Sequence, residues 1–246
     1  MPILKRVRIQ ADLFAKLVRN RPPLIVVLAY VASVAGRLMR RMRDPNRQNA
    51  LIHELDRNGT YTTRWFDGNA VEWTRIFHSQ GLVGRPIRVL EIGSWEGRSA
   101  VFLLHHLPQA ALTAVDTWQG GRQNAGDPRL ARIEELFDAN VARYGARVRK
   151  VKSTSAEFFR NSEHSLPFDL IYVDGSHDAE DVIVDAVRGF ELLAAGGIMI
   201  FDDYLWDCGV DTRLTPAVAI NRFLRMNRGR YRILSVTGQI VLKKSS

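Results

Sequence analysis

The sequence predicts an α/β fold: a doubly wound, mostly parallel seven-stranded sheet that ends in an antiparallel hairpin, with an N-terminal helical extension. Three observations point there. From residue 86 onward, short apolar runs alternate with helix-like segments, the pattern of a parallel sheet with crossover helices. Beyond about residue 227 the alternation stops, and two apolar runs separated only by Thr237-Gly238 must pair antiparallel. Charge is also divided unevenly: residues 1–50 hold 11 Lys and Arg against Asp12 and Asp44, whereas the rest holds 24 of each sign. The net +9 therefore belongs to an arm, and the body is neutral.

Residues 1–48 form that basic, partly apolar helical arm. From Pro22 to Gly36 no residue is charged, with Arg19 and Arg21 before the run and Arg37, Arg40, Arg41 and Arg43 after it. This is shorter than the ~18–20 residues a helix needs to cross a bilayer core, so a spanning helix is not expected. The basic region, the apolar stretch and Ser33-Val34-Ala35 have the form of a secretory signal, but the cofactor argued for below places the body in the cytoplasm. Two readings of the arm stay open: a helix packed on the body, or a membrane-peripheral one whose arginines meet anionic lipid through residues 1–43. Nucleic acid is not expected, since only Phe14 and Tyr30 are interleaved with the basic residues.

Residues 49–246 form the second unit, a helical cap or lid at 49–85 followed by a core at 86–246. In the cap, Trp65, Phe66, Trp73 and Phe77 are expected on helices that cover one edge of the sheet. Parallel strands are expected at 88–92, 112–116, 148–152, 168–173 and 197–201. Helices are expected at about 97–107, 128–143, 155–161 and 178–194, the last stopped by Ala-Ala-Gly-Gly. A helix at about 215–227 then precedes the hairpin strands 231–236 and 239–243. The size suits one buried core. The single cysteine, Cys208, excludes an intramolecular disulfide and is expected to be an inert thiol.

The first strand runs through Glu91-Ile92-Gly93-Ser94-Trp95-Glu96-Gly97 into a helix. Gly93 permits a tight turn and close backbone approach, and the helix start offers free N–H groups. Trp95 stands where a dinucleotide fingerprint has its middle glycine. Asp116, at the end of the second strand, adds a carboxylate suited to two ribose hydroxyls. After the fourth strand comes Asp174-Gly175-Ser176-His177, and after the fifth Asp202-Asp203-Tyr204. Carboxylates gathered at neighbouring strand ends repel unless a cation neutralises them, and oxygen ligation suits Mg²⁺. His177, with an ordinary pKa of ~6.5, suits a general base near neutrality.

Glu91-Ile-Gly93-x-x-x-Gly97, the acid ending the second strand, Phe168-Asp-Leu-Ile-Tyr-Val-Asp174, Gly196-Gly197 and the closing hairpin resemble a class I S-adenosylmethionine-dependent methyltransferase over about residues 86–243. The resemblance implies a Rossmann-like core that binds S-adenosylmethionine. It assigns the methionine and ribose contacts to Glu91, Gly93, Ser94, Gly97 and Asp116, an adenine contact to Ser155, and cover of the adenosine to Trp118. The carboxylate arrangement is similar to the metal-dependent O-methyltransferases of the catechol type and, more closely, to the macrolide-sugar O-methyltransferases and the cephalosporin-hydroxylase-related group. That likeness implies Mg²⁺ on Asp174, Asp202 and Asp203, His177 as the base, and a small-molecule hydroxyl as the acceptor.

Two rival readings come from other classes. A nicotinamide-dependent oxidoreductase shares the first-strand glycines and the second-strand acid but predicts neither the carboxylates nor the hairpin. A non-catalytic, membrane-tethered binding module with a vestigial pocket has no use for the combined Asp174, His177, Asp202 and Asp203.

Overall fold

The computed structural model describes residues 3–161, 166–207, 211 and 214–246. The arm contributes α1 (Ile3–Arg19) and α2 (Leu24–Arg43), and the cap α3 (Arg47–Asn58) and α4 (Ala70–Ser79). The core continues with β1 (Ile87–Ile92), α5 (Arg98–His106), β2 (Ala110–Asp116), α6 (Ile133–Val141), β3 (Val148–Lys152), α7 (Ser155–Asn161), β4 (Phe168–Val173) and α8 (Ala179–Leu192). It closes with β5 (Leu193–Phe201), α9 (Pro216–Met226), β6 (Tyr231–Val236) and β7 (Ile240–Lys244). Cys208 lies outside the described residues.

The sheet has seven strands in the order β3-β2-β1-β4-β5-β7-β6, and β7 runs against its neighbours. Successive side chains of a strand point to opposite faces, and β1 shows why both faces need cover: Val89 enters one core, Leu90 and Ile92 the other. The first core joins α3, α4, α5 and α6 to the sheet through Trp73, Phe77, Phe102 and Phe137. The second joins α8, α9 and the arm through Phe190, Phe223, Leu17, Val26 and Tyr30.

Two expectations are corrected. The cap covers a face of the sheet, not an edge. Trp73 and Phe77 are fully buried, and Trp73 packs edge-on against Tyr172 of β4 at the sheet's centre, 4.7 Å between rings. Aromatic bulk of that size needs a broad surface to bury against. The Ala-Ala-Gly-Gly segment also does not end a helix. α8 stops at Leu192, Leu193 pairs with Phe168, and the chain bulges through Gly196, at φ +72°, before Ile198 pairs with Leu170.

The arm is docked on the body. Leu17, Val26 and Tyr30 are buried, Ser33 Oγ accepts the backbone N–H of Val236 on β6 at 3.0 Å, and Lys16 and Arg19 pair with Asp207 at 2.9 and 3.2 Å. Burial of each large apolar side chain contributes about 1.5–3 kcal/mol, against roughly 0–1 for a partly exposed ion pair, so packing is what holds the arm. No helix among the described residues is long and apolar enough to cross a membrane.

Candidate active site

Parallel strands of one sheet bring the ends of β1, β2, β4 and β5 to one side. Gly93 has φ +84°, and a Cβ there would lie 2.0 Å from the Asp174 carbonyl oxygen. Only glycine lets the first-strand turn meet the end of β4, where Asp174 N–H donates to Ile92 at 2.8 Å. Gly97, at φ +81°, precedes α5, where a Cβ would press on Phe137.

Asp116 bolts two loops together. Its carboxylate accepts the backbone N–H groups of Ser94, Trp95 and Trp118, each at 2.8 Å. Those contacts hold Trp95 and Trp118 at φ +48° and +53°, a conformation unfavourable for bulky side chains. Trp118 is buried, packs at a tilt on Phe137 with ring centroids 4.9 Å apart and donates its indole N–H to the Trp95 carbonyl. Glu91 is fully buried. Ser94 Oγ donates to its Oε2 at 2.7 Å, while Oε1 has no partner. Burial, with a further push from Asp116, raises its pKa to about 7. Ser155, at the start of α7, hydrogen-bonds the buried Asp185 of α8.

At the next two strand ends, a small recess is lined by Asp174, Gly175, His177, Asp202, Asp203 and Ile220, among others. Asp174, His177 and Asp203 each bring a ligand atom within 4.8 Å of the other two. His177 Nε2 lies 2.7 Å from Asp203 Oδ2, and its ring packs at 4.6 Å on Trp206. A carboxylate only accepts, so Nε2 is the donor in this contact, and Nδ1 is buried without a partner. Asp203 has φ +51°, tolerable for Asp, and turns its carboxylate back toward β4.

Asp202 stands beside this group and is held from behind. Its Oδ2 accepts from Gln239 Nε2 at 2.8 Å and from the Tyr172 hydroxyl, which also reaches Asp174 Oδ2 at 2.7 Å. One phenolic proton cannot satisfy two carboxylates. Burial first, then repulsion from Asp202 and Asp203, holds the Asp174 carboxyl well above its ordinary pKa; burial and Asp203 raise Asp202 to about 6. Such a set is short of positive charge, which is the condition a hard divalent cation satisfies.

The sequence reading missed Tyr172, Gln239 and Trp206, and also Glu96, the residue that fastens the cap to the glycine turn. Fully buried Glu96 accepts from the backbone and hydroxyl groups of both Thr62 and Thr63 at 2.7–2.9 Å. Beside it, Arg98 pairs with Asp67 at 2.6 Å and Asp56 at 3.0 Å.

Residues 90–204 match the family model described as a methyltransferase domain. That match spans a little under half of the chain. No curated protein sequence matches it. Among solved structures, the chain is similar in fold to the O-methyltransferase TomG from Streptomyces achromogenes, in complex with S-adenosylmethionine: 15% identity, TM-score 0.53, 73% of this chain and 81% of that one. An O-methyltransferase from Bacillus cereus bound to S-adenosylhomocysteine aligns at 14% identity and TM-score 0.54, over 90% and 100% of the two chains. The MycE methyltransferase of mycinamycin biosynthesis, in complex with Mg and S-adenosylhomocysteine, aligns at 18% identity and TM-score 0.52 over 76% of this chain and 51% of its own. At such identities the likenesses establish the fold alone.

Proposed function

We propose that this protein is a class I methyltransferase that transfers the methyl group of S-adenosylmethionine to a hydroxyl oxygen of a small molecule, with Mg²⁺ held at the ends of β4 and β5. The observation that carries the reading is the convergence of Asp174, His177 and Asp203 within 4.8 Å, with Asp202 fixed beside them. The Mg complex of MycE supports it. When bound, Mg²⁺ supplies the charge that lowers the pKa of an acceptor hydroxyl.

The chain's own residues do the rest. Asp174, Asp202 and Asp203 would hold the cation, with Tyr172 and Gln239 fixing the Asp202 carboxylate in place. His177 takes the hydroxyl proton on Nδ1, with Asp203 stabilising the imidazolium through Nε2. The acceptor oxygen forms its bond to the methyl carbon as the carbon–sulfur bond breaks, and S-adenosylhomocysteine leaves. Glu91, Gly93, Ser94 and Gly97 form the cofactor turn, and Glu91 Oε1 is a buried acceptor open to a cofactor donor. Asp116 uses three of its roughly four acceptor positions on backbone, leaving capacity for a ribose hydroxyl. Ser155 and Trp118 flank the adenosine end.

Calorimetric titration with S-adenosylmethionine, S-adenosylhomocysteine and NADH, with and without Mg²⁺, tests this directly. Binding of both sulfur nucleosides is expected, with turnover of hydroxylated acceptors abolished by EDTA. NADH binding in their place would refute the cofactor, and full turnover in EDTA would refute the metal.

A further inference from the structure

Ten of the 17 large apolar side chains exposed among the described residues lie between Ile9 and Met42. They are not scattered. On α2, Leu24, Leu28, Val31, Leu38, Met39 and Met42 are 55–76% exposed, and at 100° per residue they fall within an arc of about 100°. The opposite side of the same helix carries Val26, Tyr30 and Ser33, which are the contacts to the body. α2 is therefore apolar on two faces, and only one of them is covered. The open stripe extends about 27 Å, from Leu24 to Met42.

Its rim is cationic. Arg41 and Arg43 project about 100° to either side of the stripe's midline, and Arg19 and Arg21 stand at its other end. Residues 13–43 contain no Asp or Glu. Arg21, Arg41 and Arg43 are exposed and form no ion pair among the described residues. We infer that the outer face of α2, with the adjoining part of α1, is a docking surface for an anionic lipid bilayer, with the stripe lying in the interface and the arginines at headgroup level.

Charge selects this occupant over a second copy of the chain. Twofold pairing through the stripe sets the unpaired Arg21, Arg41 and Arg43 of two copies against each other, and residues 13–43 offer no carboxylate to relieve them, whereas an anionic bilayer supplies the missing sign. The helix lies on the surface and does not insert across it, because its inner face is buried against β6 and α1. Docking also fixes where the catalytic recess sits. Lys16 and Arg19, on the same hairpin, hold Asp207, the neighbour of the Trp206 that packs on His177.

The test is flotation of the full-length protein with phosphatidylcholine vesicles and with vesicles that also contain phosphatidylserine, alongside sedimentation velocity without lipid. The expected result is flotation with the anionic vesicles alone, reversed by high salt. Replacing exposed residues as Leu28→Glu with Met39→Glu should abolish it, and Arg41→Glu with Arg43→Glu should weaken it at least about tenfold, both with an unchanged circular dichroism spectrum. No flotation, equal flotation with uncharged vesicles, or full binding by either variant overturns the inference. So does a dimer in solution that Leu28→Glu with Met39→Glu dissociates while the parent protein ignores lipid. None of these readouts depends on methyl transfer.

Discussion

Two groups of buried carboxylates lie on either side of the glycine turn, and they are treated in opposite ways. Glu96 receives four hydrogen bonds, and Asp67 faces the Arg98 guanidinium at 2.6 Å. Asp174 and Asp202 share one tyrosine hydroxyl, stand beside Asp203, and are held above their ordinary pKa by burial and mutual repulsion. The first arrangement is complete as it stands and does structural work. The second costs stability as it stands, and becomes favourable only when something positive enters. Buried charge alone does not mark a site; buried charge left short of partners does.

The largest expected effect separates the two groups. Glu96→Ala leaves the Thr62 and Thr63 donors without an acceptor and should cost about 3 kcal/mol in urea denaturation, because it releases the cap from the glycine turn. Asp174→Asn should do the reverse: equal or higher thermal stability, from the removal of one repelling charge, and at least ~100-fold lower turnover. If Asp174→Asn unfolds the protein as readily as Glu96→Ala, the carboxylates are structural and the comparison collapses.

What the sequence revealed of the two groups differs for the same reason. Asp174, His177, Asp202 and Asp203 are legible because each follows an apolar strand within four residues, and parallel strands deliver their ends to one side. Glu91, Gly93 and Asp116 are legible in the same way. Glu96 is not, since its partners lie more than 30 residues earlier, in a cap whose packing depends on tertiary contact. Gln239 is hidden too: it reaches Asp202 only because antiparallel pairing sets Ile240 against Phe201. Trp73 signals a core residue from its type alone, but nothing local says that its indole faces Gln239. The arm's docked face was equally unreadable, because α2 is apolar on both sides and periodicity cannot say which side meets β6.

Asp185 sharpens the comparison as an intermediate case. One side of its carboxyl receives Ser155, the other oxygen is buried without a partner, and burial raises its pKa from 3.8 to about 7. Between about pH 4 and pH 7 the folded protein keeps a proton that the unfolded chain releases. This group therefore makes stability fall as pH rises through that window and level off above it. Asp185→Asn should remove that slope, stabilising the protein by up to roughly 4 kcal/mol at pH 8 and by nothing measurable at pH 4. Thermal denaturation at the two pH values decides it, and a gain of equal size at both would mean that the carboxyl is not the cause.

The smallest effect tests how the deficient group is aimed. Trp73 Nε1 can only donate, so its 2.8 Å contact fixes Gln239 with Oε1 toward the indole and Nε2 toward Asp202. Gln239→Leu keeps much of the volume, frees the Asp202 carboxylate to rotate and leaves the indole N–H unpaired, at a cost of about 1–2 kcal/mol in stability. A role in orienting a metal-holding carboxylate predicts about a tenfold rise in the Mg²⁺ concentration that gives half-maximal turnover, with S-adenosylmethionine affinity unchanged. A merely structural role predicts the stability loss without the shift in Mg²⁺ dependence. Because the two carboxylate groups adjoin the same glycine turn, a parallel fall in cofactor affinity would show that Gln239 supports the turn and not the aim of Asp202.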